Sequence, residues 1–198
     1  MGTPRWKIAG AMVVFIGLLP TRAAAGVRTV KDLEGIPAGT RARVEGTMSF
    51  RGSTPFTILV LETEAGAVVA LESRVPGLQR ELRGLGGLRV AVEGAVLPRI
   101  DPGPPRLDAE RYDLLPLPGG ERPIVGVLER EDDACIVTTR ENKRYWILGE
   151  LAPALCDYVG ARVWIVGHRA SGGAVPKPKQ STPFTPTGYG VIDPAPQP

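Results

Sequence analysis

Short apolar runs recur along the chain from residue 42 onward, and glycine, proline or charged residues separate each run from the next. Within the runs, apolar and polar positions alternate or β-branched residues follow one another, which is typical of strands with a buried face. The 25 glycines and 20 prolines exclude long helices nearly everywhere, because proline lacks a backbone donor and glycine weakens helix interiors. Ten strands are predicted, at residues 42–50, 56–62, 67–71, 88–96, 112–115, 124–128, 134–139, 145–148, 161–166 and 189–192.

The predicted strands form two sets of five with the same internal order. Gly87 and Gly94 bracket the fourth strand of the first set, and Gly160 and Gly167 bracket the fourth strand of the second set at the same spacing. A helix-length segment precedes that strand in both halves. The two segments are residues 77–85 and 152–159. Each half therefore has the order strand, strand, strand, helix, strand, strand, and the chain contains an internal repeat.

This order, with glycine where strands must bend, resembles the OB-fold, a five-stranded barrel with a helix between strands three and four. Gly46 and Gly126 lie in the first strand of each half, where glycine lets the strand curl and pair with two neighbours. Gly94 and Gly167 suit a bulge in the fourth strand. The chain thus resembles small exported bacterial OB-fold-like proteins, which implies an all-β protein of two tandem five-stranded OB-like barrels. An SH3-like barrel, a single ten-stranded sandwich and two small β domains of another topology are the alternatives.

Residues 1–25 have the organisation of a secretory signal peptide, because Arg5 and Lys7 precede an apolar run and small residues end the segment at Ala25. Cleavage there predicts a periplasmic or secreted protein. The alternative is an uncleaved segment in which residues 8–25 anchor the protein to a membrane. The segment holds three of the 24 cations and none of the 21 acids, so the exported chain is predicted to be neutral.

The proline- and glycine-rich stretch at residues 115–121 has the composition of a linker between the two halves. The predicted domains are a signal peptide at 1–25, a first barrel with an N-terminal extension at 26–118 and a second barrel at 119–198. Irregular stretches at 98–106 and 170–187 are predicted to join the fourth and fifth strands, and the second of them is predicted to be mobile.

Cys135 and Cys156 are the only cysteines, and both lie in the second half. An exported protein meets an oxidising environment, so a disulfide between them is predicted. It would tether the helical segment to the second strand of that half. Two buried thiols that act as small apolar residues are the alternative.

Candidate chemistry is sparse. The chain has one histidine, His168, and no closely spaced set of thiols or imidazoles, so neither a zinc site nor nucleophilic catalysis is indicated. The acidic run at 131–133 lacks the spacing of a calcium loop and is interpreted as a charged turn. We therefore predict no enzyme activity, no catalytic residue, no metal and no cofactor.

Nucleic acid is the usual expectation for an OB-like fold, and two sets of residues bear on it. Four arginines of the first half and three aromatic residues of the second are candidates: Arg41, Arg43, Arg51, Arg89, Tyr145, Trp146 and Trp164. The neutral exported chain gives no electrostatic attraction for a polyanion, and alternation around the tryptophans directs at least some rings toward the core. Nucleic acid is therefore disfavoured as a partner.

The sequence favours an exported, non-catalytic binding module of the cell envelope, whose partner is an envelope protein or polymer. Recognition is predicted at the rims of the barrels, where loops stand on a rigid scaffold. The candidate rim residues are Arg51, Phe56, Tyr145, Trp146 and Phe184, of which the two phenylalanines belong to two copies of the pentapeptide Ser-Thr-Pro-Phe-Thr. Two alternatives are kept: a structural subunit of a membrane or envelope assembly that retains its N-terminal helix, and a saccharide- or oligonucleotide-binding protein. The oligomeric state is left open.

Overall fold

The computed structural model describes residues 28–170 and 180–195. The predicted export segment, residues 1–25, lies outside the described residues. The elements are β1 (Arg28–Val30), β2 (Arg41–Arg51), β3 (Ile58–Glu62), β4 (Val68–Glu72), α1 (Leu78–Arg83), β5 (Arg89–Val96), β6 (Arg106–Leu114), β7 (Ile124–Glu131), β8 (Ala134–Thr139), β9 (Arg144–Ile147), α2 (Ala152–Cys156), β10 (Arg162–Arg169) and β11 (Ser181–Asp193).

Strands β2 to β6 close into the first barrel. β2 is long and curved, so its first half pairs with β5 and its second half pairs with β3. The pairs β3 with β4, β4 with β6 and β6 with β5 complete the ring, and β4 and β6 run parallel. β1 lies outside this ring and pairs in parallel with residues 42–44 of β2.

Strands β7 to β11 form a second closed barrel with the same connectivity, β7-β8-β9-β11-β10. Here too the third and fifth strands, β9 and β11, run parallel, and the remaining pairs are antiparallel. Each helix lies between the third and fourth strand of its barrel. The chain is therefore an all-β protein of two tandem five-stranded OB-like barrels, as the sequence pattern predicts.

Glycines let the first strand of each barrel cross its neighbour closely. A Cβ on Gly46 of β2 would overlap the carbonyl oxygen of Glu62, and a Cβ on Gly126 of β7 would lie 2.5 Å from the carbonyl oxygen of Thr138. Any larger residue would push the two backbones apart. The predicted role of both glycines is confirmed.

Glycines also mark the bulges of the fourth strands. The register between β5 and β6 shifts at Gly94, and the register between β10 and β11 shifts at Gly167. A bulge bends its strand and increases the local twist, which helps a short sheet to close. The predicted bulges are confirmed at both positions.

Apolar side chains that point inward fill both barrels. The first core includes Leu82 of α1 and Leu85 just after it, both fully buried, and the second core includes Leu155 of α2. Each helix therefore packs on its barrel through buried leucines. In residues 28–170 and 180–195, no helix has the length and hydrophobicity needed to cross a membrane.

The two barrels meet at α1, β10 and β11. Trp164 of β10 donates a hydrogen bond from Nε1 to the carbonyl oxygen of Gly84, at 2.8 Å. A Cβ on Gly84 would lie 2.5 Å from the Cα of Ile192, so the end of α1 touches the backbone of β11. Val166 and Ile192 of the second barrel also belong to the first core. This junction holds the barrels side by side.

Two predicted boundaries are wrong in the fifth strands. β6 begins at Arg106, and β11 begins at Ser181, so residues 181–187 form a strand and not a loop. Because β11 contains two prolines, its first half was predicted to be a loop. Pro183 precedes the ladder between β11 and β10, which begins at Phe184, and Pro186 lies opposite the bulge of β10. A missing backbone donor is tolerated at both places.

A candidate binding cleft between the two barrels

Two of the candidate rim residues lie at an exposed tip of the first barrel. Phe56, in the loop between β2 and β3, is 81% exposed, and Phe50 and Ile58 beside that loop are each 45% exposed. Arg51 ends β2, and its Nη2 lies 3.1 Å from Oε1 of Glu62. The tip is therefore mainly apolar, and its one predicted cation is paired.

The other three candidate rim residues belong to the body of the second barrel. Trp146 is 7% exposed and Phe184 is 4% exposed, so neither is presented at the surface, and we remove both from the rim. Tyr145 is half-buried, and its ring centroid lies 5.7 Å from that of Phe184 in an edge-to-face contact. One Ser-Thr-Pro-Phe-Thr copy thus lies in an exposed loop and the other in β11, and the two do not form a common patch.

Each of the four arginines proposed for a polyanion has a carboxylate partner. The pairs are Arg41 with Glu110, Arg43 with Glu93 and Asp113, Arg51 with Glu62, and Arg89 with Glu64. Most partners lie on other strands of the same barrel, so opposite charges alternate across its outer face. These arginines therefore do not form a continuous basic surface. Trp164 is likewise engaged, at the junction of the barrels.

Glu93 is the most buried of these carboxylates, at 6% exposed on the outer face of β5. Arg43 donates from Nη1 to Oε1 at 2.8 Å, and Arg111 donates from Nε to Oε2 at 2.7 Å. The strand register places the three residues side by side on β2, β5 and β6. The hydrogen bond from Arg43 lowers the pKa of Glu93 below its usual range; burial opposes this shift and Arg111 reinforces it.

Replacing Glu93 with glutamine is expected to destabilise the protein by about 1 to 3 kcal/mol at neutral pH, because two guanidinium groups lose a charged acceptor. Since its folded-state pKa is lowered, the contribution of Glu93 is complete above the ordinary glutamate value of 4.5 and is lost as pH falls through the folded pKa. Urea unfolding at a series of pH values should therefore show a steeper acid loss for the wild type than for Glu93→Gln. Glu45→Gln is the control variant, because the Glu45 carboxylate lies 3.9 Å from Nε of Arg43. Equal acid slopes for wild type and Glu93→Gln would contradict this assignment.

A cleft of about 1150 Å³ lies between the barrels. One wall consists of β6, the segment just before α1 and the first turn of α1, and the other consists of β7 and the turn between β8 and β9. Val75 and Val127 present apolar surface to it and are 41% and 43% exposed. Ligands often bind where two structural units meet, because such clefts offer surface from both.

Three hydrogen-bonded side chains from α1, β6 and β10 fix the geometry of this cleft. Tyr112 donates from Oη to Oε2 of Glu81 at 2.9 Å, and Nη1 of Arg162 lies 3.0 Å from Oε1 of the same carboxylate. Burial raises the pKa of Tyr112 to about 12, and the hydrogen bond to Glu81 acts in the same direction. The phenol therefore remains a hydrogen-bond donor at neutral pH, and the three residues tie the first barrel to the second.

The charges of the cleft are unequally satisfied. Five carboxylates line it, and four of them are ion-paired: Glu81 with Arg162, Glu110 with Arg41, Asp113 with Arg43 and Glu141 with Lys143, whereas Glu129 accepts a hydrogen bond from the hydroxyl of Thr138. In contrast, the guanidinium groups of Arg122 and Arg140 have no ion-pair partner within the described ranges. Within the described residues, the cleft therefore combines apolar surface with two arginines and one carboxylate that have no ion-pair partner.

Sequence reasoning did not identify this cleft. Arg122 lies just before Pro123 and β7, and Arg140 lies in a turn, where a charged residue is ordinary. The contact of α1 with β10 and β11, together with the packing of Val125 of β7 against the first core, brings the two walls together. The one available signal was an arginine beside a proline at the start of the second repeat, and this signal is too common to be specific.

Comparison with known proteins gives no family. No protein-family model matches the chain, and no curated protein matches it. Among solved structures, it is similar to the wild-type single-stranded DNA binding protein from Thermus aquaticus, with 17% identity, a TM-score of 0.26 and coverage of 82% of this chain and 96% of that chain. A deletion mutant of the single-stranded DNA binding protein from Thermus aquaticus gives 15% identity, a TM-score of 0.23 and coverage of 77% and 94%. A likeness at this level carries no argument about what the chain binds.

Proposed function

We propose that this protein is a non-catalytic binding module that holds a segment of a partner protein in the cleft between its barrels. The observation that carries the proposal is that Arg122 and Arg140, which have no ion-pair partner among the described residues, line the same cleft as the exposed Val75 and Val127, whereas four of its five carboxylates are ion-paired. Arginine beside apolar surface is characteristic of protein interfaces. Walls that are already rigid also reduce the entropy lost on binding.

We place this module in the cell envelope, with an envelope protein as its partner. The signal-like segment at residues 1–25 supports export. The disulfide between Cys135 and Cys156 suits an oxidising compartment. The intact mass of protein purified from its own envelope tests the location, and loss of residues 1–25 is the expected result.

A protein ligand is favoured over an oligonucleotide by the state of the arginines. Arg41, Arg43, Arg51 and Arg89 all face carboxylates, so a phosphate backbone would have to displace existing ion pairs to reach them. Within the described residues, the cleft has two guanidinium groups without an ion-pair partner, which suits a few carboxylates better than a long polyanion. Fluorescence anisotropy with a single-stranded oligonucleotide measures this directly, and tight, salt-dependent binding would favour the oligonucleotide.

The test of the cleft is site-specific photocrosslinking of the full chain in its native envelope. The probe replaces Val127, which is 43% exposed and lines the cleft, or Val159, which is 38% exposed and lies outside the cleft lining. Capture of one protein from Val127 and not from Val159 is expected. The captured protein, once purified, should bind the wild type and should bind Arg122→Ser/Arg140→Ser about tenfold more weakly, which corresponds to about 1.4 kcal/mol. Equal capture from both valines would contradict the proposal.

A further inference from the structure

β1 demonstrates how an additional strand docks on a barrel of this chain. It pairs in parallel with residues 42–44 of β2. β3 covers β2 only from Thr47 to Arg51, and β5 occupies the opposite side of residues 41–47. β1 therefore fills the part of β2 that β3 leaves open.

β7 is the equivalent strand of the second barrel, and in the described part of the chain no strand fills the same place. Gly126 of β7 corresponds to Gly46 of β2, because each crosses the second strand of its barrel closely. β8 pairs with β7 only from Gly126 to Glu131, and β10 pairs with residues 124–127 from the opposite side. Residues 124 and 125 are therefore paired on one side alone.

The backbone groups of Val125 face this open side. The N–H of Leu128 donates to the carbonyl oxygen of Ala161 at 2.9 Å, and its carbonyl oxygen accepts from the N–H of Gly160 at 2.7 Å. Both groups of Leu128 thus point toward the β10 side, and successive residues of an antiparallel ladder point to opposite sides. Those of Val125, three positions earlier, point away from β10. An unpaired edge of this kind can accept an extended peptide as an additional strand.

The cleft lies along this open edge. Its lining includes residues 124–127 of β7, with Arg122 just before the strand and Arg140 in the turn that follows β8. An extended segment beside Val125 would pass close to both arginines. Carboxylates form strong charge-assisted hydrogen bonds with guanidinium groups. Four of the five carboxylates that line the cleft in the described residues are ion-paired with other cations, so carboxylates of a ligand can pair with these two arginines.

We propose that the occupant of the cleft is an extended acidic segment of the partner protein, which adds to β7 as a short strand at Val125 and places its carboxylates against Arg122 and Arg140. This inference rests on the proposed function and specifies the ligand of the same cleft. Pro123 has no N–H to donate, so hydrogen bonding to the added strand centres on Val125.

The test is a peptide selection with the purified protein. A library of heptapeptides that contain Asp, Lys, Val or Thr at each position is offered to the wild type and to Arg122→Glu/Arg140→Glu, which changes two exposed side chains. The wild type should enrich acidic peptides, and the charge-reversed variant should enrich lysine-containing peptides. The best acidic peptide should bind the variant at least about tenfold more weakly. Equal enrichment of acidic peptides by both proteins, or no peptide that distinguishes them, overturns the proposal.

Methylation of the peptide amides tests the added strand separately from its charge. Methylating the amides that bond to Val125 should abolish binding, and methylating the alternate amides, which point away, should leave the affinity unchanged. Equal losses at all positions would overturn strand addition. Failure here is distinguishable from failure of the proposed function, because crosslinking from Val127 would still identify the cleft as a binding site.

Discussion

Replacing Gly94 with valine is expected to lower the free energy of unfolding by about 3 kcal/mol or more, which is a large part of the stability of a small domain. A Cβ at this position would overlap the carbonyl oxygen of Asp108 and lie 2.8 Å from its carbonyl carbon. Both atoms belong to the backbone of β6, so no side-chain rotation relieves the overlap. The ladder between β5 and β6 would have to open. Chemical denaturation followed by circular dichroism measures the loss.

Gly119→Val is the matched control, because a Cβ on Gly119 meets nothing within 4 Å. Its stability should remain within about 0.5 kcal/mol of the wild type, as is usual for surface positions. Equal stability of the two variants would mean that β5 does not approach β6 at Gly94 as described.

Glycine positions explain why so much of the fold was predictable from the sequence. Gly87 and Gly160 have φ angles of 83° and 88°, and their amides donate to the carbonyl oxygens of Met48 and Leu128, respectively. A strand that turns sharply or approaches its neighbour closely needs glycine at that point, so the requirement is local and visible in the sequence. The repeated spacing therefore revealed two barrels of the same order. β1 contains no such glycine and could not be predicted in this way. It has three residues without clear alternation, and it is held by pairing with β2.

The candidate site was less predictable, because its properties depend on residues that are distant in sequence. The burial of Phe184 requires β11 to begin at Ser181, which the prolines of that strand obscure. The partners of the arginines were equally hidden, since Arg43 meets Glu93 only after β2 and β5 pair. A count of cations therefore overstated the basic surface of the first barrel. The cleft itself depends on the packing of α1 and Val125 at the junction of the two barrels.

Reduction of the disulfide between Cys135 and Cys156 is expected to destabilise the protein by about 3 kcal/mol, because the reduced, unfolded chain regains the freedom of the loop that the bond closes. The two Cα atoms lie 5.8 Å apart, with a sequence separation of 21 residues. Cys135 is 3% exposed on β8, within the second core, so the bond also fastens the end of α2 to the barrel wall. Thermal unfolding with and without reductant measures the effect, and a fall in Tm of about 6 to 12 °C is expected for a unit of this size.

The double variant Cys135→Ala/Cys156→Ala is the control, since it should unfold near the temperature of the reduced wild type and should not respond to reductant. Equal Tm values for oxidised and reduced wild type, with the free thiols verified by mass, would contradict the prediction. The loss should also reach the first barrel. Val166 and Ile192 complete its core from the second barrel, so loosening β10 and β11 removes apolar contacts from both barrels. We therefore expect the two barrels of the reduced protein to unfold in one coupled transition.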